Sequence, residues 1–273
     1  TLSRSSAASD VYKRQDQTVS VSTTDDDVAG FTVSETQGST GVDESGTTDI
    51  ITVVLNAQPA SDVVITVTSS DTGEATVTSP LTFTPANWDT AQNVTITGAD
   101  DELVDGTVNS TLTITVDDAN SDDNFDAVAD QTVTASTTDD DVAGFTIDQL
   151  DGSIEVDESG DTDTFTVVLD AQPTSDVVIT ITSSDTGEAT VTSTLTFTPA
   201  NWDTPQVATI TGVDDDIIDG SQTSTITVSI DDANSDDDFD VIADQTVSVS
   251  TTDDDVAGFT VSETQGSTGV DES

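Results

Sequence analysis

Apolar and polar residues alternate along most of this chain. Ile51, Val53 and Leu55 stand at every second position, as do Val63, Ile65 and Val67, and later Leu112, Ile114 and Val116. Thr66, Thr111, Thr113 and Thr115 fill intervening places. A period of two puts the aliphatic set on one face of an extended chain and the threonines on the other. These stretches are therefore predicted as half-buried antiparallel strands, with β-branched residues suited to both faces. The pattern returns in Phe165, Val167 and Leu169, in Val177, Ile179 and Ile181, and in Ile226, Val228 and Ile230. Asn56-Ala-Gln-Pro59, Asp71-Thr-Gly73, Pro85-Ala-Asn87 and Asp105-Gly106 separate the strands with turn-forming residues. No stretch keeps a helical period over a useful length. No apolar run exceeds three residues, far short of a membrane span.

The strand pattern is itself repeated. DDDVAGFT begins at Asp25, Asp139 and Asp253, SSDTGEATVTS at Ser69 and Ser183, and LTFTPANWDT at Leu81 and Leu195, always at an interval of 114 residues. A fixed period of domain length marks tandem modules. Seven or eight strands are expected in each, close to the roughly 100 residues of an immunoglobulin-like sandwich. The fold class is thus all-β: tandem immunoglobulin-like antiparallel β-sandwiches arranged end to end. The period assigns residues 16–27 to the tail of a preceding repeat, 28–141 to repeat 1, 142–255 to repeat 2 and 256–273 to the start of a following one. Residues 16–45 are identical to residues 244–273, so a longer array is expected, of which this chain is a fragment.

Residues 1–15 stand outside the pattern and hold every basic residue, Arg4, Lys13 and Arg14. They resemble translated linker read-through at the edge of a metagenomic reading frame. A processed secretion signal is the alternative, although Leu2 and Ala7-Ala8 make no apolar core for one. The segment is expected to be poorly ordered and dispensable.

Composition narrows the function. The chain carries 55 acidic residues against 3 basic ones, a formal charge of −52, with no His and no Cys. Such a surface repels phosphate, so neither nucleic acid nor an anionic membrane is an expected direct partner. A thiol nucleophile, a disulfide framework and a histidine base are excluded outright. Catalysis would have to rest on a carboxylate pair in a unique setting, whereas these acids recur every 114 residues, and no enzyme is expected. Carboxylates suit Ca2+, which takes six to eight oxygens at about 2.3–2.6 Å and so needs several acids gathered from different loops. Three consecutive Asp at a domain boundary repel by about 1 kcal/mol per pair even in water, and clustered acids therefore imply cations.

Asp139-Asp-Asp-Val-Ala-Gly-Phe145, which closes one repeat and opens the next, resembles the junction between tandem Calx-beta domains. Val42-Asp-Glu44-Ser-Gly46 before a strand, Leu81-Thr-Phe-Thr-Pro85 and Val213-Asp-Asp-Asp-Ile-Ile-Asp219 strengthen the likeness, which covers both full repeats. Where that family has a Gly-Glu pair after Phe-x-Pro, Ala86-Asn-Trp88-Asp stands here. The resemblance implies calcium at one end of each sandwich. Its ligands would be Glu44, Asp71, Asp100, Asp101, Asp105, Asp139, Asp140 and Asp141 in repeat 1. In repeat 2 they would be Glu158, Asp185, Asp214, Asp215, Asp219, Asp253, Asp254 and Asp255. The triplet Asp25–Asp27 follows a repeat whose other loops are missing here, so it is expected to stay empty, beside a loosely held strand at 17–23.

Bland readings stand beside these. Scattered acids such as Asp62, Asp89 and Asp176 fit a solvated, dispersing surface with no metal. Asp122-Asp-Asn124-Phe-Asp126 and Asp236-Asp-Asp238-Phe-Asp240 alternate acids like the opening of a calcium loop, yet lack the Gly and Glu that complete an EF-hand. Trp88 and Trp202 fit either a carbohydrate platform or a cover for the core. The expectation drawn from all this is an extracellular or cell-surface structural or adhesive array, stiffened at its junctions by calcium. Its partners would be neighbouring repeats and a surface or glycan target. The alternatives are a metal-free acidic spacer and a carbohydrate- or ligand-binding module accessory to an enzyme.

Overall fold

A computed structural model describes residues 19–36, 38–150 and 152–262. The alternating stretches pair into two sandwiches of the same topology. In the first the strands are β1 (Phe31–Glu35), β2 (Thr40–Asp43), β3 (Thr48–Leu55), β4 (Val63–Ser69), β5 (Ala75–Val77), β6 (Leu81–Phe83), β7 (Gln92–Gly98), β8 (Val108–Val116) and β9 (Gln131–Thr138). They form one sheet in the order β1-β3-β7-β5 and another in the order β2-β9-β8-β4-β6. The second sandwich repeats this with β10 (Phe145–Asp148), β11 (Ile154–Asp157), β12 (Thr162–Leu169), β13 (Val177–Ser183), β14 (Ala189–Val191), β15 (Thr194–Phe197), β16 (Gln206–Gly212), β17 (Gln222–Ile230) and β18 (Gln245–Thr252). Its sheets run β10-β12-β16-β14 and β11-β18-β17-β13-β15.

Each sandwich has nine strands rather than the seven or eight expected. The extra ones are three or four residues long, too short for an alternation to register in sequence. Among them β2 pairs in parallel with β9, Thr40 opposite Ala135 and Asp43 opposite Thr138, and β11 pairs with β18 in the same way. That pairing joins the start of a repeat to its end.

The aliphatic face predicted from the period is the core. Ile51, Val53, Leu55, Val63, Ile65, Val67, Leu112, Ile114 and Val116 are all buried between the two sheets, and their counterparts in repeat 2 likewise. Burial of each such side chain contributes roughly 1.5–3 kcal/mol, which is what sets the register of both sheets. Trp88 and Trp202 are half-buried against these cores, and their carbonyls accept the Leu55 and Leu169 N–H groups, both at 3.2 Å. They cover the core edge.

The leader 1–15 lies outside the described residues. Residues 19–30 and 253–262 form no strand, and Val19, Val21, Val256 and Phe259 are exposed. Of the strand expected at 17–23, the described residues 19–23 therefore form no strand.

Candidate metal centre

Two loops and two strand ends converge at one end of the first sandwich. The turn after β2 begins it. Asp43 accepts the Ser45 N–H at 3.0 Å through Oδ1 and the Thr138 hydroxyl at 2.9 Å through Oδ2, and Gly46 closes the turn at a φ of 88° that favours glycine. The Ser45 hydroxyl, which also donates to Oδ1, and then these two bonds hold the Asp43 carboxyl below its usual range. Gly98, the last residue of β7, lies against this turn so closely that a Cβ there would overlap the Asp43 carbonyl. The Glu44 N–H donates to the Thr138 carbonyl at 3.0 Å. Glu44 is thereby fixed beside the acidic triplet that follows β9, almost a hundred positions further along the chain.

Glu74 comes from the loop before β5. Its carbonyl accepts the Ala99 N–H at 2.8 Å and the Thr137 hydroxyl at 3.3 Å, which ties that loop to the ends of β7 and β9. Asp101 and Asp105 come from the loop between β7 and β8. Asp139 staples this loop in place: its Oδ2 accepts the N–H groups of Asp105 at 3.0 Å and Gly106 at 2.9 Å, and its Oδ1 accepts that of Asp141 at 2.7 Å.

The result is two overlapping triads that share one residue. Oxygens of Glu44, Glu74 and Asp105 lie within 4.8 Å of one another, as do those of Glu44, Asp101 and Asp141. Glu44 is 1% exposed and Glu74 5%. The Oε2 atoms of both, with Asp105 Oδ1 and Asp141 Oδ2, are buried without a hydrogen-bond partner. Burial, then the charges of Asp139, Asp101, Glu74 and Asp105, push Glu44 up to about 7. Burial followed by neighbouring carboxylates also raises Glu74, Asp105 and Asp141. Repeat 2 builds the same centre. Glu158, Glu188 and Asp219 form one triad and Glu158, Asp215 and Asp255 the other, with Glu158 Oε2, Glu188 Oε2 and Asp255 Oδ2 buried and unpartnered. Burial raises Glu158, Glu188 and Asp255, again ahead of their acidic neighbours.

The donors are all oxygen and all anionic, the set that suits a hard divalent cation. Five carboxylates on each end fit such an ion, because their buried oxygens lack hydrogen-bond partners among the described residues.

Of the residues singled out in sequence, the structure brings together Glu44, Asp101, Asp105 and Asp141, and Glu158, Asp215, Asp219 and Asp255. Asp139 and Asp253 stand between them as backbone staples, Asp253 accepting the Gly220 N–H at 2.8 Å and the Asp255 N–H at 2.7 Å. Those bonds, first the one from Gly220, lower the Asp253 carboxyl. Asp71 and Asp185 are exposed and cap their own turns, each accepting the N–H of the glycine two residues on at 2.9 Å. Asp100, Asp140, Asp214 and Asp254 are exposed and belong to neither triad, since adjacent positions in these loops face different ways. Glu74 and Glu188 were not anticipated. Their signal was a Glu recurring in identical surroundings, DTGEAT, in a chain that otherwise prefers Asp.

The second acidic stretch is a structural cap. Asp122 Oδ2 accepts the Ala60 and Ser61 N–H groups at 2.7 and 2.9 Å, and its Oδ1 binds the Asn124 N–H and side-chain amide. Asp236 does the same for Ser175, Thr174 and Asp238. Asp25–Asp27 are exposed and join no triad.

No protein-family model matches the sequence, and no curated protein matches it. Among solved structures, calcium-binding domain CBD12 of CALX1.1 is similar at 16% identity, with 74% of this chain and 79% of that one covered and a TM-score of 0.30. Domains 4 and 5 of the S-layer protein SbsC are similar at 16% identity, over 69% of this chain and 76% of that one, with a TM-score of 0.33. At such scores nothing about those proteins' roles transfers, and the centre is read from its own geometry.

Proposed function

We propose that each acidic centre binds Ca2+ and that the chain is an extracellular structural or adhesive repeat array whose junctions the ions stiffen. The observation that carries this reading is the pair of unpartnered glutamate oxygens of Glu44 and Glu74, buried within 4.8 Å of further carboxylates. Glu44, shared by both triads, would help hold a cation in either. Within each triad, charged carboxylates at this spacing repel by about 4 kcal/mol per pair at an effective dielectric constant of 20, and divalent cations would offset that charge. The ligands come from the turn after β2, the loop before β5, the loop between β7 and β8 and the segment after β9. Binding would therefore clamp four segments that the sheets hold only at their roots.

Dissociation constants of extracellular calcium modules run at about 0.1–1 mM, which matches such a site to calcium outside the cell. The reading is non-catalytic, with neighbouring repeats as partners and an external surface or glycan as the object of adhesion. Exposed acids such as Asp62, Asp89 and Asp176 serve solvation alone.

Scanning calorimetry in chelator, in millimolar calcium and in sodium chloride of matched ionic strength tests it. Calcium at 100 times its dissociation constant should add about 2.7 kcal/mol per site. An equal gain from the sodium salt would mean general screening and would leave the metal-free acidic spacer as the function.

A further inference from the structure

The junction between the sandwiches is spanned by a contact and by the chain itself. Between Asp101 and Asp105 the loop from β7 to β8 holds Glu102-Leu103-Val104, and these three residues reach the second sandwich. The Gln172 N–H donates to the Glu102 carbonyl at 2.6 Å, the Val104 N–H donates to the Gln172 carbonyl at 2.9 Å, and Leu103 bridges Gln172 as a one-residue parallel strand. Val104 is 8% exposed and belongs to the apolar core of repeat 2, with Ala171 and Phe239. This is a plug of one repeat seated in a socket of the next. The covalent path is the segment 139–144, from the end of β9 to the start of β10. Tension along the chain therefore leaves repeat 1 after β9 and enters repeat 2 at β10, as it enters repeat 1 at β1.

Within each repeat the strands at the point of entry are tied to the strand at the point of exit. β2 pairs in parallel with β9 over four positions, Thr40 opposite Ala135 to Asp43 opposite Thr138, and the Glu44 N–H extends the pair to the Thr138 carbonyl at 3.0 Å. Gln131, at the start of β9, donates its side-chain amide to the Phe31 carbonyl of β1 at 2.6 Å. Repeat 2 has the same ties: β11 pairs with β18, the Glu158 N–H donates to the Thr252 carbonyl at 3.1 Å, and Gln245 donates to the Phe145 carbonyl at 2.6 Å. Every other strand pair among the described residues is antiparallel. Strand direction decides how such a pair meets tension. The entering chain draws β2 toward its beginning and the leaving chain draws β9 toward its end, so two parallel strands are made to slide along each other. Their evenly spaced hydrogen bonds are then strained together. An antiparallel pair entered and left in this way would have both pulled ends side by side and would unzip bond by bond.

We propose that the parallel pair of β2 with β9, and that of β11 with β18, is a shear clamp that makes each repeat a tension-bearing module. While the clamp holds, β3 to β8 stay off the path between the two pulled strands, and the sandwich opens only after the bonds of the pair have failed together. The proposal takes its source of tension from the array and needs no bound cation, so it stands or falls apart from calcium binding.

Optical-tweezers measurements on the full chain in chelator test it. The chain has no Cys, so two introduced thiols are the only points of attachment. Ser39→Cys with Asp140→Cys pulls β2 at its beginning and β9 beyond its end, whereas Ser39→Cys with Asp130→Cys pulls both strands at their beginnings; all three positions are exposed. At one loading rate the first combination should rupture at about twice the force of the second or more, because forced unfolding follows the barrier in the pulled direction and not the equilibrium stability. It should do so in a single step that opens the whole sandwich and releases up to about 360 Å of chain between the thiols. In repeat 2, Ser153→Cys with Asp254→Cys against Ser153→Cys with Asp244→Cys makes the same comparison at exposed positions 114 residues on. Equal forces in the two directions, or a greater force when both beginnings are pulled, overturn the proposal. So does a first combination that yields in small steps, since other strands would then be bearing the tension.

Discussion

The acidic ends of the two sandwiches are built from the same residues 114 positions apart, yet they differ in closure. At the first, Asp105 is half-buried, Val104 is sealed into the neighbouring core, and Asp238 of the second sandwich adds to the charges that raise Asp105. At the second, Asp219, Ile217 and Ile218 are exposed. The central glutamates are equally buried in both, Glu44 and Glu158 at 1%. Each sandwich therefore supplies its own carboxylates, while the neighbour decides how firmly the loop carrying two of them is held. A junction of this kind couples the carboxylate cluster to packing through a single loop.

The strongest way to break the comparison is at the plug. Val104→Asp places a charge in the core of repeat 2 and should cost on the order of 3 kcal/mol, whereas Ile218→Asp at the equivalent exposed site should stay within about 0.5 kcal/mol. Urea unfolding followed by circular dichroism reads both, and equal losses would show that the joint contributes nothing. Next comes Glu44→Gln. In calcium at 100 times the dissociation constant it should forfeit about 2.7 kcal/mol, yet in chelator it should be more stable than the parent, because a buried, mutually repelling charge is gone. Glu158→Gln should lose less in calcium, since Asp219 lies on a loop that no second sandwich holds among the described residues. Calorimetry of the two variants under both conditions decides it.

Acidity sharpens the same contrast with a smaller effect. Glu44 titrates at about 7 in the folded chain against an ordinary value of 4.5. Between those values the cation-free folded chain binds more protons than the unfolded one, so its stability should rise as pH falls from about 7 to about 4.5. With calcium the trend reverses, because protons compete for the same oxygens and the calcium-dependent gain shrinks over that range. Melts in chelator that lost stability on acidification across that window would contradict the buried, charged centre.

The smallest expected effect is at Asp25–Asp27. Their joint replacement by Asn should shift stability by no more than about 0.5 kcal/mol, whereas the same change at Asp253–Asp255 removes the staple on Gly220 and one member of a triad. Titration calorimetry should lose one class of sites from the second replacement only. Equal losses would mean that an Asp triplet binds as a local charge patch.

Sequence alone determined the sandwiches and their repetition. An alternation of aliphatic and threonine residues has one stable solution, burial of the aliphatic face, so Ile51 to Leu55 and the later runs could be placed from spacing alone. The 114-residue period transferred every such inference from one repeat to the next, and the composition limited the chemistry to carboxylates. The tertiary structure decided which carboxylates meet. Glu44, Glu74, Asp101, Asp105 and Asp141 are far apart in the chain, and the parallel pairing of β2 with β9 and the close approach of Gly98 help bring them into two triads that share Glu44. Asp139 and Asp140 are adjacent in sequence, yet one staples a loop and the other faces water, because in a turn neighbouring side chains diverge. The plug was likewise hidden: Leu103-Val104 looks like a loop with two stray aliphatic residues until a second sandwich, with its own socket, lies beside it.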